Sequence, residues 1–209
     1  MVATASRMFR ERGFEVSLAE PTDAVGLTTG ALYRQFHSKE ALPGEATERA
    51  FGELRALLAG FEAAGDDDRT AAREALIGYH FSPEHRDITA TGCPASVLSA
   101  DVSRQPPDSR AKEQYIRGVR EPAGRLGNAA PDTAAHPPAE EADDPAVPDD
   151  ALATLCTMVG ALVLARATAG SSLSERLPAT ARTTVSAPGR RQSPSAAPGQ
   201  LPGPPARSE

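Results

Sequence analysis

Gly26-Leu-Thr-Thr-Gly-Ala-Leu-Tyr-Arg-Gln-Phe-His-Ser-Lys-Glu-Ala-Leu42 is the stretch whose reading decides this fold. Gly26 permits a positive φ, Thr28 is placed to cap a helix through about Phe36, and Leu32 and Phe36 recur at helical spacing. Just upstream, Ser17-Leu-Ala-Glu20 has capping-box spacing and predicts a short helix to Val25 with Gly26 as its stop. Two short helices across a glycine turn make a helix-turn-helix. Ala24, Leu27, Leu32 and Phe36 supply its inner faces. Thr28, Thr29, Gly30, Tyr33, Arg34 and Gln35 are left near the outer face, a short, polar set flat enough to enter a major groove. Ser38 opens the next helix, whose free N–H groups can hold a phosphate with Lys39 beside them.

Outward from this motif, the chain has 209 residues and a formal charge of −6. Residues 129–150 hold seven carboxylates, five prolines and no Lys or Arg, so the rest of the chain is at +1. Residues 186–209 add six prolines in 24 positions. Neither segment can bury enough apolar surface to offset the ordering of its backbone, and the first reads as an acidic linker, the second as a disordered tail. The longest apolar run, from Met158 to Ala165, ends at Arg166 and falls short of the ~20 residues of a membrane helix. The N-terminus MVATASRMFRER carries charges where an export signal has its apolar stretch. Two cysteines, Cys93 and Cys156, make neither a disulfide framework nor a zinc site. The expectation is a cytoplasmic protein with no membrane partner.

The remaining pattern is helical, and the expected class is all-α. Helices are predicted over 2–12 with Gly13 as stop, and from Ser38 towards Ala64 with Phe51, Leu54, Leu58 and Phe61 on one face. Asp68 caps a helix over 69–80; others follow at 83–88, 94–104, 107–126, 149–169 and 173–185. Leu152, Leu155, Cys156, Val159, Leu162, Val163 and Arg166 line one stripe of the most apolar helix, either as core or as half of a dimer interface. Four of the nine aromatic residues, Phe9, Phe14, Tyr33 and Phe36, fall in the first 36 positions, where a small unit needs large side chains. Pro43, Pro122 and Pro178 fall inside predicted helices, where each is expected to kink the chain at a cost of ~3 kcal/mol.

Arg10-Glu-Arg-Gly-Phe14 followed by the Gly26–Leu42 stretch resembles the DNA-binding domain of TetR/AcrR-type transcriptional regulators over about residues 1–50. A looser resemblance continues in Thr91-Gly-Cys-Pro94 and in the end of the Val159–Ser171 segment. The resemblance implies a helix-turn-helix domain at 1–45 (motif 17–36) and a helical ligand-binding and dimerisation domain at 46–185. It implies a homodimer joined through the C-terminal helices, reading a palindromic double-stranded DNA operator and released by a small-molecule inducer. Thr28, Thr29, Gly30 and Ala31 fall where the family touches base edges, and Tyr33, Gln35 and Lys39 where it touches phosphates. Arg34 joins them from its place on the outer face. The inducer pocket implied in the later helices draws on Phe61, Tyr79, His80, Phe81, Cys93, Tyr115 and Met158, mostly apolar with a few polar tips.

Two other readings stay open. Residues 1–42 hold five Arg or Lys against five Asp or Glu, and a neutral module grips phosphate weakly, which suits a family-shaped helical dimer without DNA binding. Cys93 precedes Pro94 at a predicted helix start, where the dipole favours a thiolate and hence redox sensing. His80 and His85 have no third ligand in sight for a metal, no cofactor is implied, and no spacing argues for catalytic residues.

Overall fold

The structure, a computed structural model, describes residues 1–17, 19–26, 41–65, 68–127 and 147–186, and every regular element among them is a helix. The fold class is therefore all-α, as the spacing predicts.

α1 (Val2–Arg12) buries Ala5, Ser6, Phe9 and Arg10 along one face. Gly13 ends it with φ 80°, and its N–H donates to the Phe9 carbonyl at 2.9 Å. A Cβ at Gly13 would lie 2.9 Å from Asp101 Oδ2, so both the backbone angle and the close approach require glycine. α2 (Ala19–Asp23) is shorter than the predicted span and passes through a turn to Gly26 at φ 68°. Half of the capping box is present: the Ser17 N–H donates to Glu20 Oε1 at 3.3 Å.

α3 (Ala41–Ala64) is the axis of the molecule. Its first turns bury Leu42, Ala46 and Ala50 with Ala5, Phe9, Val16, Leu98 and Val102, a cluster closed by an edge-to-face pair of Phe9 and Phe14. Its later turns lie along α8. The helix runs on unbroken past Pro43, whose carbonyl accepts the Thr47 hydroxyl at 2.7 Å.

α4 (Arg69–His80) begins as predicted, with the Asp68 carboxylate accepting the N–H groups of Thr70 and Ala71. α5 (Pro83–Asp87) is capped by Ser82. The single helix expected over 94–104 is two short ones, α6 (Pro94–Val97) and α7 (Ser99–Ser103). The break at Leu98 lets Ala95 face the Phe51–Leu162 cluster while Leu98 and Val102 face the N-terminal one. α8 (Arg110–Leu126) starts three residues later than predicted because Ser109, not Pro107, provides the cap.

α9 (Asp149–Ala167) packs on α10 (Leu173–Ser186) across a turn at Gly170, and also on α8. Asp149 and Asp150, placed in the acidic linker on composition, belong to the first turn of α9, where the helix dipole favours carboxylates. The expected breaks at Pro122 and Pro178 do not occur. Both prolines sit inside continuous helices with their rings buried, and a residue without an N–H leaves no donor to satisfy there.

The predicted stripe on α9 is rotated. Ala151, Thr154, Met158, Ala161, Leu162 and Ala165 are buried, whereas Leu152, Cys156 and Val163 are exposed. The helix is thus apolar on two sides. By length and composition alone α9 also passes as a membrane helix, a test that core helices of soluble proteins pass too, and here it packs on α8 and α10.

Candidate functional site

Thr28, Thr29, Gly30, Ala31, Tyr33, Arg34, Gln35 and Lys39 lie outside the described residues, as do Leu27, Leu32 and Phe36. The frame around them is described. α1 docks on α3 through Phe9, 1 % exposed, and through Arg10, whose Nη2 donates to Glu53 Oε2 at 2.6 Å. The described residues at the two ends of the Gly26–Leu42 stretch are Gly26, in a left-handed turn, and Leu42, fully buried in α3. Ala24, expected on an inner face, is exposed, because α2 ends at Asp23 and Ala24 belongs to the turn.

The charges of this frame are largely committed. Arg12 and Glu20 form an ion pair whose hydrogen bond raises the guanidinium pKa and lowers that of the carboxylate. Arg10 is thus held by Glu53 and Arg12 by Glu20, while Arg7 is exposed.

The second constellation lies in the later helices. Five rings follow one another: Phe61 to Tyr79 at 5.7 Å, Tyr79 to His85 at 4.6 Å, His85 to His80 at 5.3 Å and His80 to Phe81 at 5.3 Å. Nε2 of His80 lies 3.0 Å from the Met158 carbonyl, which as a pure acceptor assigns the ring proton to that nitrogen. Nε2 of His85 is buried without a hydrogen-bond partner. Burial lowers the His80 pKa to about 4; burial, the neighbouring His80 and Arg166 lower that of His85 to about 3. Both imidazoles are neutral at pH 7.

Of the seven residues assigned to the inducer pocket, the structure brings Phe61, Tyr79, His80, Phe81 and Met158 together. Cys93 and Tyr115 belong to the neighbouring cluster around Phe51 and Leu162, joined to the first through Leu54. The Tyr115 hydroxyl donates to the Ala95 carbonyl at 2.6 Å, and burial pushes its pKa up to about 12. A cavity of about 40 Å³ adjoins Phe61, between Leu58, Leu76, Arg73 and Arg125.

The thiolate expected at Cys93 is not favoured. The side chain is buried, desolvation raises its pKa, and the helix it caps has four residues, too short for a useful dipole. The other thiol, Cys156, is exposed on α9.

Arg166 is the residue that sequence reasoning missed. Its hydrogen bonds go to neutral oxygens: Nε to the Arg86 carbonyl, Nη2 to the His85 carbonyl and Nη1 to the Ser96 hydroxyl, at 2.9, 2.9 and 3.0 Å. It staples the end of α5 to α6. Gly92 makes room for it, since a Cβ there would lie 2.8 Å from Nη2 and 2.9 Å from the Ile88 carbonyl. The signal was an arginine closing the most apolar helix, together with a glycine before Cys93.

Residues 1–46 match the family model described as bacterial regulatory proteins, tetR family. No curated protein matches the chain. Among solved structures, the crystal structure of E. coli NemR in its reduced form is similar, with a TM-score of 0.65 and 21% identity over 88% of this chain and 92% of that one. At that identity the likeness speaks for the fold, and it extends the agreement from the N-terminal helices to most of the helical body.

Proposed function

We propose that the chain is a DNA-binding regulator of the tetR family, a cytoplasmic, homodimeric repressor of a palindromic operator, released by a small molecule. The observation that carries this reading is the overlap between the family match at 1–46 and the Gly26–Leu42 motif, which holds every residue assigned to DNA. Thr28, Thr29, Gly30 and Ala31 read base edges, while Tyr33, Arg34, Gln35 and Lys39 hold phosphates. Residues 1–45 are then the DNA-binding domain and 46–185 the effector and dimer domain. α3 crosses that boundary as one helix and is suited to couple the two. The reading includes no catalytic step.

The exposed side of α9 supports the dimer. Leu152, Val163 and Leu164 are 40%, 40% and 53% exposed, and Leu173 at the start of α10 is 47% exposed. Such an apolar strip on paired helices suits a second copy related by a two-fold axis.

The test is selection of bound duplexes from a random DNA pool at low salt with the full chain. Enrichment of a palindrome with half-sites about one helical turn apart supports the repressor reading and the dimer together. No enrichment by a helical, dimeric sample overturns the DNA reading in favour of a family-shaped dimer that has lost it.

A further inference from the structure

The ring series from Phe61 to Phe81 has a feature that plain core packing does not account for. A buried imidazole nitrogen without a partner costs about 1–3 kcal/mol, and an apolar side chain of the same shape would avoid that cost. His85 is 7% exposed, its Nε2 is unpartnered, and its ring lies 4.6 Å from that of Tyr79, tilted by 48°. An unmet polar atom in the middle of an aromatic series points to a ligand that supplies both a ring and a hydrogen-bonding group.

We propose that His85 and Tyr79 form the recognition end of the effector site, and that the effector is a neutral phenol whose hydroxyl meets Nε2 of His85. This rests on reading the helical body as effector-binding. Charge argues for the neutral class. Burial keeps His80 and His85 uncharged at pH 7, and the nearby cation, Arg166, is occupied by two carbonyls and a hydroxyl. A carboxylate would therefore lose its hydration without gaining a free cation. A hydroxyl suits the imidazole better than a carbonyl does. It both donates and accepts, so it satisfies either tautomer of His85.

Size adds a consequence. The cavity adjoining Phe61 measures about 40 Å³, room for a water or two but not for a ring. That cavity is not lined by Tyr79 or His85, so a phenol at His85 must displace side chains packed around the ring series, which reaches α3 through Phe61. Occupancy is thereby tied to the helix whose other end carries the N-terminal unit.

The experiment titrates p-cresol, toluene and p-toluate separately into the full chain while the imidazole ¹⁵N signals are followed. Saturable movement of the His85 signal is expected with p-cresol, with toluene binding about tenfold more weakly for want of one hydrogen bond. No saturation is expected with p-toluate in the same range. His85→Phe should bring p-cresol down to the affinity of toluene. Equal affinity for p-cresol and toluene, tighter binding of p-toluate, or movement confined to the other histidines would overturn the proposal. Should His85→Phe not fold, the three-ligand series on the native chain still decides. No DNA enters the measurement, so failure of the operator selection and failure of this site are told apart.

Discussion

A buried arginine and a half-buried one divide the molecule by how each is neutralised. Arg10, in the N-terminal unit, meets the carboxylate of Glu53 at 2.6 Å, and apolar groups and the Phe9–Phe14 pair make up the adjoining core. Arg166, in the helical body, meets only carbonyl and hydroxyl oxygens, beside two neutral imidazoles. The first arrangement cancels its charge locally, and the buried polar atom left without a partner beside it is the small Ser6 hydroxyl of α1. The second holds α5, α6 and α9 together through dipoles, which a change of protonation or an incoming hydrogen-bonding group can disturb. The N-terminal unit is built to keep its shape, and the body is built to answer its contents.

The sharpest way to break that contrast is to remove Arg166. Arg166→Met keeps most of the apolar stem but leaves the His85 and Arg86 carbonyls and the Ser96 hydroxyl without their donor. A loss of about 2–4 kcal/mol is expected in chemical unfolding, from two or more polar groups left partly unpaired. Hydrogen exchange should rise first at residues 85–96 and leave α1 unchanged. Uniform loosening of both regions would refute the contrast.

Acid probes the body next. The folded pKa of His80 is about 4, below the value near 6.5 of an unfolded histidine, so the unfolded chain binds the proton first as pH falls. The stability held by neutral His80 is complete above pH 6.5 and declines from there towards pH 4. By pH 5 the loss from this residue is about 2 kcal/mol, one and a half units of linkage. His85, also lowered, acts in the same direction. Unfolding free energy measured between pH 7 and 5 should fall more steeply in the native chain than in His80→Gln, and parallel slopes would show that the pair is not buried as described.

Glu53→Gln tests the N-terminal side. Arg10 keeps a neutral acceptor, and Glu53 is partly exposed, so water softens the change. A loss of about 1 kcal/mol is expected, vanishing in high salt, whereas the loss in Arg166→Met should persist there because no countercharge is involved.

These differences also explain what could be read from residue order alone. Local signals carried through: Gly13 ends α1, Asp68 caps α4, and Ser17 and Glu20 form half of their box. Each depends on groups within a few positions of one another. The misreadings depended on the rest of the molecule. Pro122 and Pro178 stay inside helices because their rings are buried by distant packing. On α9 residue order left core and dimer interface open, and packing divides the two: α8 and α10 cover its alanine-rich side and leave Leu152 and Val163 outward. The same holds for the candidate site. His80 and His85 were legible as neighbours, but the burial that lowers both pKa values, aided by a guanidinium more than eighty positions away, comes from the packing of distant helices.

The last expected effect is read on DNA rather than on stability, and it concerns the proposed DNA face itself. If the N-terminal unit presents a rigid surface, its phosphate and base contacts should separate cleanly on substitution. Lys39→Ala removes one phosphate contact, so binding should weaken on every duplex alike and the slope of log affinity against log salt should fall by about one. Thr28→Ala should instead change which sequence is preferred, by about 1–3 kcal/mol at one base pair, and leave that slope unchanged. Competition binding at two salt concentrations measures both. Were Lys39→Ala to shift sequence preference, the motif would be adapting to its DNA rather than holding still, and the division between a fixed N-terminal unit and a responsive body would fail at the residues that define it.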